Sequence, residues 1–206
     1  LLAPEAEEVP VEKEKKVPRI VDYRSWRELG RPMPLYDDAV YFYEGLPLKD
    51  FTKKTIDRYA VTKARHLVLL SCPPDPQVQK EIVALSKAEE VILAYSPGEI
   101  TDLKTVLSWV MSYVKFVVNR LKGHTSVYDL AAITGQTELF VMEMIRFLEE
   151  KGLLEVKMRE YGQMLLKINI QEATNAPPPA PLVDLLAETN AYRRYMNNCT
   201  IKSTEI

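Results

Sequence analysis

The spacing of apolar residues from Thr125 onwards follows a helical period. Ser126, or Thr125 before it, is suited to cap a short helix that ends at Gly135. A second helix is predicted from Thr137, because its apolar residues recur three and four positions apart, as on one buried face. These residues are Phe140, Val141, Met144, Ile145 and Leu148. The segment therefore predicts two consecutive amphipathic helices.

After Gly152 the apolar period becomes two, which indicates two strands joined by a tight turn. Apolar and charged residues alternate over residues 154–158, Gly162 supplies the turn, and the alternation returns over residues 164–168. A wide apolar stripe predicts one long helix ahead of these elements, over residues 101–123. The stripe consists of Leu103, Val106, Leu107, Val110, Val114 and Val117. A long helix, two shorter helices and a hairpin, in that order, predict a winged-helix domain.

The part of the chain before the long helix has a different pattern. Four short apolar segments predict strands: "RIVDYR", and three more that each end at Gly or Pro, "AVYFYEGL", "HLVLLSCPP" and "EVILAYSP". Helices are predicted between the later strands, over residues 50–62 and 77–88. Near-continuous apolar strands separated by helices are typical of a mainly parallel sheet that is covered on both faces.

These patterns predict an α/β fold class with four regions. A small, mainly parallel α/β sheet domain spans residues 18–97, and a winged-helix domain spans residues 98–172. Residues 1–17 are rich in proline and alternating charge, which predicts a disordered linker, and a chain that begins in such a segment without methionine looks like part of a longer polypeptide. Residues 173–206 predict a Pro-rich linker and a C-terminal helix.

The C-terminal helix is expected over residues 182–197. Within its "AYRRYM" segment, we expect Tyr192 and Tyr195 to lie on the buried side. Arg193 and Arg194 are expected to stay in water, as long charged side chains usually do.

Composition narrows the function classes only slightly. The 206 residues are 47% hydrophobic with a formal net charge of −2, which predicts a globular protein without a global basic excess. Cys72 and Cys199 are the only cysteines, too few for a disulfide framework, and this favours a reducing, cytoplasmic compartment. No apolar run is long enough to predict a membrane segment.

We find no catalytic constellation in the sequence. It contains no glycine-rich phosphate loop, and we expect His66 and His124 to lie at the surface or at a helix end. Asp37 and Asp38 could in principle hold a metal ion, but adjacent side chains usually diverge, so a solvated turn is expected. Cys72 is expected to be buried as a small apolar residue.

Two groups of basic residues are the more informative chemistry. The first accompanies the helix predicted over residues 50–62 and comprises Lys49, Lys53, Lys54, Arg58, Lys63 and Arg65; the second ends the long helix and comprises Lys115, Arg120, Lys122 and His124. The candidate nucleic-acid-binding residues are Lys49, Lys53, Lys54, Arg58, Lys115, Arg120 and Lys122. Binding through phosphates would be blind to sequence and sensitive to salt. Each group could equally be the solvated face of its helix.

The helix predicted from Thr137 would be the recognition helix of a DNA-reading winged helix. Its polar residues are mainly acidic, with only Arg146 and Lys151 against several glutamates. Such a face would repel phosphate, which favours a structural or protein-binding role.

The order of segments resembles a known family. "RIVDYRSW", "HLVLLSCPPDPQVQKEIVAL", "VILAYSP", the helix-rich stretch from "LSWVMSYVKF" to "EKGLLEV", and "LVDLLAETNAYRR" together resemble the region C-terminal to the nuclease core of bacterial RecJ, a single-stranded-DNA-specific 5′-to-3′ exonuclease. The likeness covers residues 19–194. It implies a role in DNA repair and recombination, with a RecJ-type nuclease core in the same polypeptide, repair or replication proteins, and single-stranded DNA as partners, and no membrane.

RecJ enzymes cleave with Mn or Mg held by aspartates and histidines of DHH-type motifs. No Asp-His-His occurs in this sequence, so no catalytic residue carries over and no cofactor is expected in this chain. The expected function is a non-catalytic module that docks partner proteins, helps to hold single-stranded DNA, or does both.

Two alternatives stay open. One is a free-standing winged-helix DNA-binding regulator or replication adaptor, in which Lys157, Arg159 and Lys167 of the hairpin touch the DNA backbone. The other is a small α/β enzyme with an unrecognised site beyond the carboxyl ends of its strands, at residues 23–26, 44–46, 71–74 and 96–98.

Overall fold

The computed structural model describes residues 17–25, 33–45, 51–95, 101–169 and 177–202. Five strands form a sheet in the order β1-β5-β4-β2-β3, and every pairing in it is parallel. The strands are β1 (Arg19–Asp22), β2 (Ala39–Phe42), β3 (Thr55–Ile56), β4 (His66–Leu69) and β5 (Glu90–Leu93). The structure confirms the mixed α/β class and the mainly parallel sheet.

Helix α1 (Pro76–Ser86) connects β4 to β5 and covers one face of this sheet. Asp75 caps it by accepting a hydrogen bond from the backbone N–H of Val78 at 2.9 Å, and Pro76 occupies the first turn, where its missing N–H costs nothing. The prediction of a helix over residues 77–88 is thus confirmed within two residues. On the other face, strand residues pack against Met33, Tyr36 and Phe51.

The predicted helix over residues 50–62 is wrong. In the described part of this segment, residues 51–62, the chain is extended or turning, and Thr55–Ile56 pairs with Tyr41 and Phe42 of β2 as strand β3. The spacing of Phe51, Ile56 and Tyr59 resembles that of a helical face. In so short a segment, however, pairing with the neighbouring strand β2 decides the conformation.

The second part of the described chain is built on three helices and a three-stranded sheet. In order these are α2 (Leu103–Arg120), β6 (His124–Ser126), α3 (Val127–Thr134), α4 (Glu138–Glu150), β7 (Leu154–Met158) and β8 (Gln163–Ile168). The sheet is antiparallel with the order β6-β8-β7. The predicted helices and hairpin are all present, and β6 is an additional strand that the sequence analysis missed.

Local rules explain where these helices begin and end. The Ser126 side chain accepts from the backbone of Asp129 at 3.0 Å while the Asp129 carboxylate accepts from the backbone of Ser126 at 2.8 Å, which is a capping box. Gly135 ends α3 in the left-handed region with φ of 60°, and Thr137 caps α4. The predicted buried faces are confirmed: Val106, Val110, Val114 and Val117 of α2 and the five apolar residues of α4 lie in the core.

Helix α5 (Ala180–Asn198) joins the two parts. Its first half inserts Leu182 and Leu186 among the residues of α2, α3 and α4, and its second half inserts Met196 beside α1 and β5. One helix thus contributes to two hydrophobic cores.

Two side chains of α5 lie opposite to expectation. Arg193 is buried at 5% exposure and donates to the carbonyl oxygen of Gly135, whereas Tyr195 is 55% exposed. Tyr192 is half-buried, with its hydroxyl donating to Oε1 of Gln79 at 2.8 Å, and Arg194 is exposed, as expected. The prediction failed for Arg193 because a carbonyl from a distant helix end supplies its partner, which periodicity cannot reveal.

Several expectations fall outside the described residues. They are the linker predicted over residues 1–17, apart from Val17, together with Lys49, residues 96–98 and most of the Pro-rich linker. Over the ranges that the structure does describe, no helix has the length and apolar character needed to cross a membrane.

Candidate nucleic-acid interface

The first group of basic residues does not form a shared surface on a helix. Lys53 lies 3.5 Å from the Asp37 carboxylate, Arg65 pairs with Glu89 at 3.3 Å, and Lys54 and Lys63 are exposed. Their expected grouping depended on the helix over residues 50–62, which the structure replaces with an extended chain.

Arg58 is the clearest correction in this group. Its side chain is 5% exposed and forms an ion pair with Glu44, which follows β2 and is itself 2% exposed. Nη2 of Arg58 lies 2.5 Å from Oε2 of Glu44, and Nε lies 2.7 Å from Oε1. The structure thus places Arg58 in a buried ion pair and not on an exposed basic surface.

The Arg58–Glu44 pair is part of the junction between the two sheets. Burial raises the pKa of the Glu44 carboxyl, and the Arg58 guanidinium opposes that rise through two hydrogen bonds and its charge. Nη2 of Arg58 also donates to the carbonyl oxygen of Gln136 at 2.9 Å, and the backbone N–H of Gly45 donates to the carbonyl oxygen of Ala132 at 2.9 Å. The α3–α4 turn therefore lies on the carboxyl edge of the parallel sheet.

This edge is where open parallel sheets usually bind ligands. Beside the covering turn a cleft of about 360 Å³ remains between α1 and Tyr59. Asp75, Glu81 and Glu138 contribute carboxylates to its lining, with Arg58 as the cation. Because carboxylates dominate the lining, the cleft disfavours an anionic ligand such as a phosphate.

His66 lies at the opposite edge of the sheet, at the start of β4. Its Nδ1 is 3.0 Å from Oδ1 of Asp38, its Nε2 is 3.6 Å from Oε2 of Glu90, and its ring stacks on Tyr36 with centroids 4.6 Å apart. These neighbours are not visible in the sequence: Asp38 comes close to His66 because Ala39, the next residue, lies opposite His66 where β2 pairs with β4. In the described ranges no group of three or more His, Cys, Asp or Glu side chains is placed to hold a metal ion.

The second group of basic residues is brought together with the hairpin by strand pairing. In the β6-β8-β7 sheet His124 lies opposite Leu165, and Leu165 lies opposite Lys157, so these residues form one row. The backbone N–H of Leu166 donates to the carbonyl oxygen of Gly123 at 2.9 Å, which places Lys122 beside the strand position of Lys167.

We call this surface the basic strip. It consists of six exposed residues: Arg120, Lys122, His124, Lys157, Arg159 and Lys167. The hairpin also carries two acidic residues: Glu155, which accepts from Nζ of Lys167 at 3.1 Å, and Glu160, which follows Arg159 and is exposed. Lys115 is exposed on α2, more than one turn before Arg120. Sequence reasoning had kept the end of α2 and the hairpin apart because the register that joins them is invisible in the sequence.

The outward face of α4 is acidic and apolar. Leu139 and Met142 are more than half exposed, and Arg146, the cation beside them, is 3.0 Å from Glu150. The acidic character of this helix was expected from the sequence. Cys72, at 1% exposure, is buried as expected, and His124 is exposed as expected.

No family model, no curated protein and no solved structure matches this chain at a level that indicates relationship.

Proposed function

We propose that this chain is the non-catalytic C-terminal module of a RecJ-like exonuclease and that it holds single-stranded DNA by its phosphates on the basic strip. The resemblance in the sequence suggests the enzyme class. The observation that carries the DNA-holding role is the register of the antiparallel sheet, which gathers the end of α2 and the hairpin onto one surface. In such an enzyme Mn or Mg would be held by the nuclease core in the same polypeptide, in a bacterial cytoplasm.

The charge of the basic strip suits a phosphate backbone. Its five Lys and Arg side chains outnumber the two carboxylates of the hairpin, those of Glu155, which pairs with Lys167, and of Glu160. Side chains of this type release condensed counterions when they meet phosphates, which gives affinity without reading sequence. The rest of the chain is slightly acidic, so the strip is a local feature and not a consequence of overall charge.

We also propose that α2, α3, α4 and the three strands form a winged-helix domain whose wing, β7 and β8, contacts the DNA. The element order and the pairing of β6 with β8 support this assignment. Helix α4, the usual reading helix, exposes Leu139 and Met142 beside acidic residues, which is unsuited to base edges and phosphates. The wing carries the positive charge instead.

A titration of fluorescently labelled oligonucleotides tests the proposal. Fluorescence anisotropy would be followed for a single strand and a duplex of equal length at several salt concentrations. We expect salt-sensitive binding with preference for the single strand, weakened at least tenfold by the double change Lys122→Glu and Lys157→Glu. The matched control is Lys53→Glu with Lys54→Glu, the same charge change outside the strip, which we expect to have little effect.

The outcomes separate the alternatives. Equal losses from the two double variants would reject the strip as the binding surface, and preference for the duplex would favour a free-standing winged-helix regulator. If neither oligonucleotide binds at low salt, DNA holding is rejected. Docking of a protein partner on the exposed Leu139 and Met142 of α4 would then be the better proposal, because exposed apolar side chains on one helix face are typical of such contacts.

A further inference from the structure

Three exposed tyrosines form a row beside the basic strip. Tyr161 at the tip of the hairpin is 85% exposed, Tyr128 at the start of α3 is 42% exposed, and Tyr59 after β3 is 44% exposed. Large aromatic side chains usually bury most of their surface, so the ring of Tyr161, which buries little, is a feature that folding alone does not explain. We call this row the tyrosine track.

One ring-to-ring contact and the backbone at the hairpin tip define the track. A Cβ built on Gly162, the residue after Tyr161, would lie 3.3 Å from Cε2 of Tyr128, so the hairpin tip rests against the Tyr128 ring. The rings of Tyr128 and Tyr59 meet edge to face, with centroids 5.0 Å apart and an angle of 61° between their planes. The track therefore runs from the hairpin tip to the end of β3.

Tyr59 is held in place before any ligand arrives. Its hydroxyl donates to Oε1 of Glu138, and the Arg58 guanidinium lies over its ring at 5.8 Å from the centroid. Burial raises the pKa of the Tyr59 hydroxyl, which keeps it protonated as a donor to that carboxylate. A fixed ring loses little conformational entropy when another flat group stacks on it.

Tyr161 occupies a backbone conformation that favours glycine. Its φ is 56°, and Gly162 after it has a φ of 71°, so two consecutive residues at the hairpin tip lie in the left-handed region. A tight hairpin turn of this kind prefers Asn, Asp or Gly at the first of these positions. A bulky, exposed tyrosine there is unfavourable for the turn, and this points to a use for the ring outside the fold.

We propose that the tyrosine track stacks the unpaired bases of a single-stranded nucleic acid whose phosphates lie on the basic strip. The inference rests on the proposed function and deepens it. Tyr161 follows Arg159 of the strip by two residues, and Tyr128 follows Ser126 at the end of β6 by two residues, so the two surfaces are adjacent. Successive bases stack on such rings regardless of their identity, because every base has a flat π face.

The track explains a preference that charge alone cannot give. A duplex and a single strand both offer phosphates, but only the single strand has bases free to leave the stack. Of the acidic groups next to the track, Asp129 accepts from Ser126 and Glu138 accepts from Tyr59. Glu160 before Tyr161 is exposed, and Asp75 and Glu81 line the cleft beside Tyr59. These carboxylates disfavour phosphates along the track, so the bases and not the phosphates would lie on it.

The test compares a normal single strand with an abasic one of equal length, which has the same phosphates and no bases. We expect the complete chain to bind the normal strand at least about fivefold more tightly than the abasic strand, as expected for the loss of one or more stacked bases. Tyr161→Ala should lower affinity for the normal strand by a similar factor and leave the abasic strand unaffected. Tyr161→Phe keeps the ring face and should bind as the unchanged protein does. Because Tyr161 is 85% exposed, none of these changes should affect folding.

Tyr195→Ala is the matched control, since Tyr195 is also exposed but lies on α5, outside the track. Salt-sensitive binding that Tyr161→Ala does not weaken, or equal affinity for normal and abasic strands, would reject base stacking on the tyrosine track. Either result would leave phosphate binding by the basic strip intact. Loss of salt-sensitive binding in Lys122→Glu with Lys157→Glu, together with base-dependent loss in Tyr161→Ala, would support both. Absence of any binding by the unchanged chain would overturn both.

Discussion

Arg58 and Glu44 lie in segments that follow different strands, and their side chains form an ion pair almost closed to water. Glu44 accepts from the side chain of Arg58 and from its backbone N–H, the latter at 3.0 Å. Arg58 in turn reaches the carbonyl oxygen of Gln136 between α3 and α4. A single guanidinium therefore connects the edge of the parallel sheet to the helices of the second part.

Removing Arg58 should destabilise the protein strongly. Arg58→Ala leaves the Glu44 carboxylate buried without its partner, and we expect the free energy of unfolding to fall by about 3–5 kcal/mol. Urea unfolding followed by circular dichroism measures this. Arg65→Ala is the control, because its pair with Glu89 is about two-thirds exposed and should contribute under about 1 kcal/mol. Equal losses in the two variants would show that the buried pair has no special role.

Gly123 should not tolerate a side chain. Its φ is +85°, and an added Cβ would lie 2.3 Å from the carbonyl oxygen of Leu166, so Gly123→Ala must both strain the backbone and displace β8. We expect a loss of about 2–4 kcal/mol in the free energy of unfolding. Gly152→Ala has a comparable φ of +73° with nothing within 4 Å of the added atom, and should cost only about 1 kcal/mol. If both variants lose the same amount, the contact with β8 is not decisive.

The attachment of the end of α5 should weaken in acid. The Arg24 side chain hydrogen-bonds to the Asp22 carboxylate, which lowers the pKa of Asp22 below its usual 3.8, while Arg24 also donates to the carbonyl oxygens of Met196 and Cys199. A lowered pKa in the folded state gives stability that is present above the unfolded pKa and is lost as the pH falls through the folded one.

The comparison of Asp22→Asn with the unchanged protein isolates this contribution. At pH 7 the unchanged protein should require more urea to unfold, and the difference should shrink as the pH falls below about 4. A difference that stays constant between pH 7 and pH 2.5 would contradict the role of the Asp22 charge.

Leu186 should be far more sensitive to truncation than its neighbour Val183 on the same helix. Leu186 is 6% exposed in the core formed with α2, α3 and α4, whereas Val183 is 47% exposed. Leu186→Ala should lower the free energy of unfolding by about 2–5 kcal/mol, and Val183→Ala by less than about 0.5 kcal/mol. Similar small effects from both would mean that α5 is only loosely docked.

Much of the helical part was predictable from local chemistry. Ser126 with Asp129, Gly135 and Thr137 identify helix ends because capping depends on residues within a few positions of each other. The four buried valines of α2 were predictable from their helical period, because residues at that spacing form one stripe that faces the core.

The parts that sequence reasoning missed all depend on distant partners. Thr55 and Ile56 form a strand because they pair with the edge of β2, and Arg58 is buried because the Glu44 carboxylate forms an ion pair with it. The basic strip likewise needs the register of β6 with β8, and Arg193 needs the carbonyl of Gly135. Among the candidate site residues, those at the end of α2 are exposed, whereas Arg58 is buried and the described residues around it are dispersed. Their binding to nucleic acid stays a prediction.

The position of α5 limits how this protein could be reshuffled during evolution. Leu182 and Leu186 belong to one core and Met196 to the other. If recombination transferred only residues 101–169 to another gene, the transferred core would lack these two leucines and would contain a cavity. Transfer of the parallel sheet alone would likewise leave a cavity where Met196 packs. The two parts should consequently be inherited together. Insertions should be tolerated in exposed loops and not within α5, which joins the two cores.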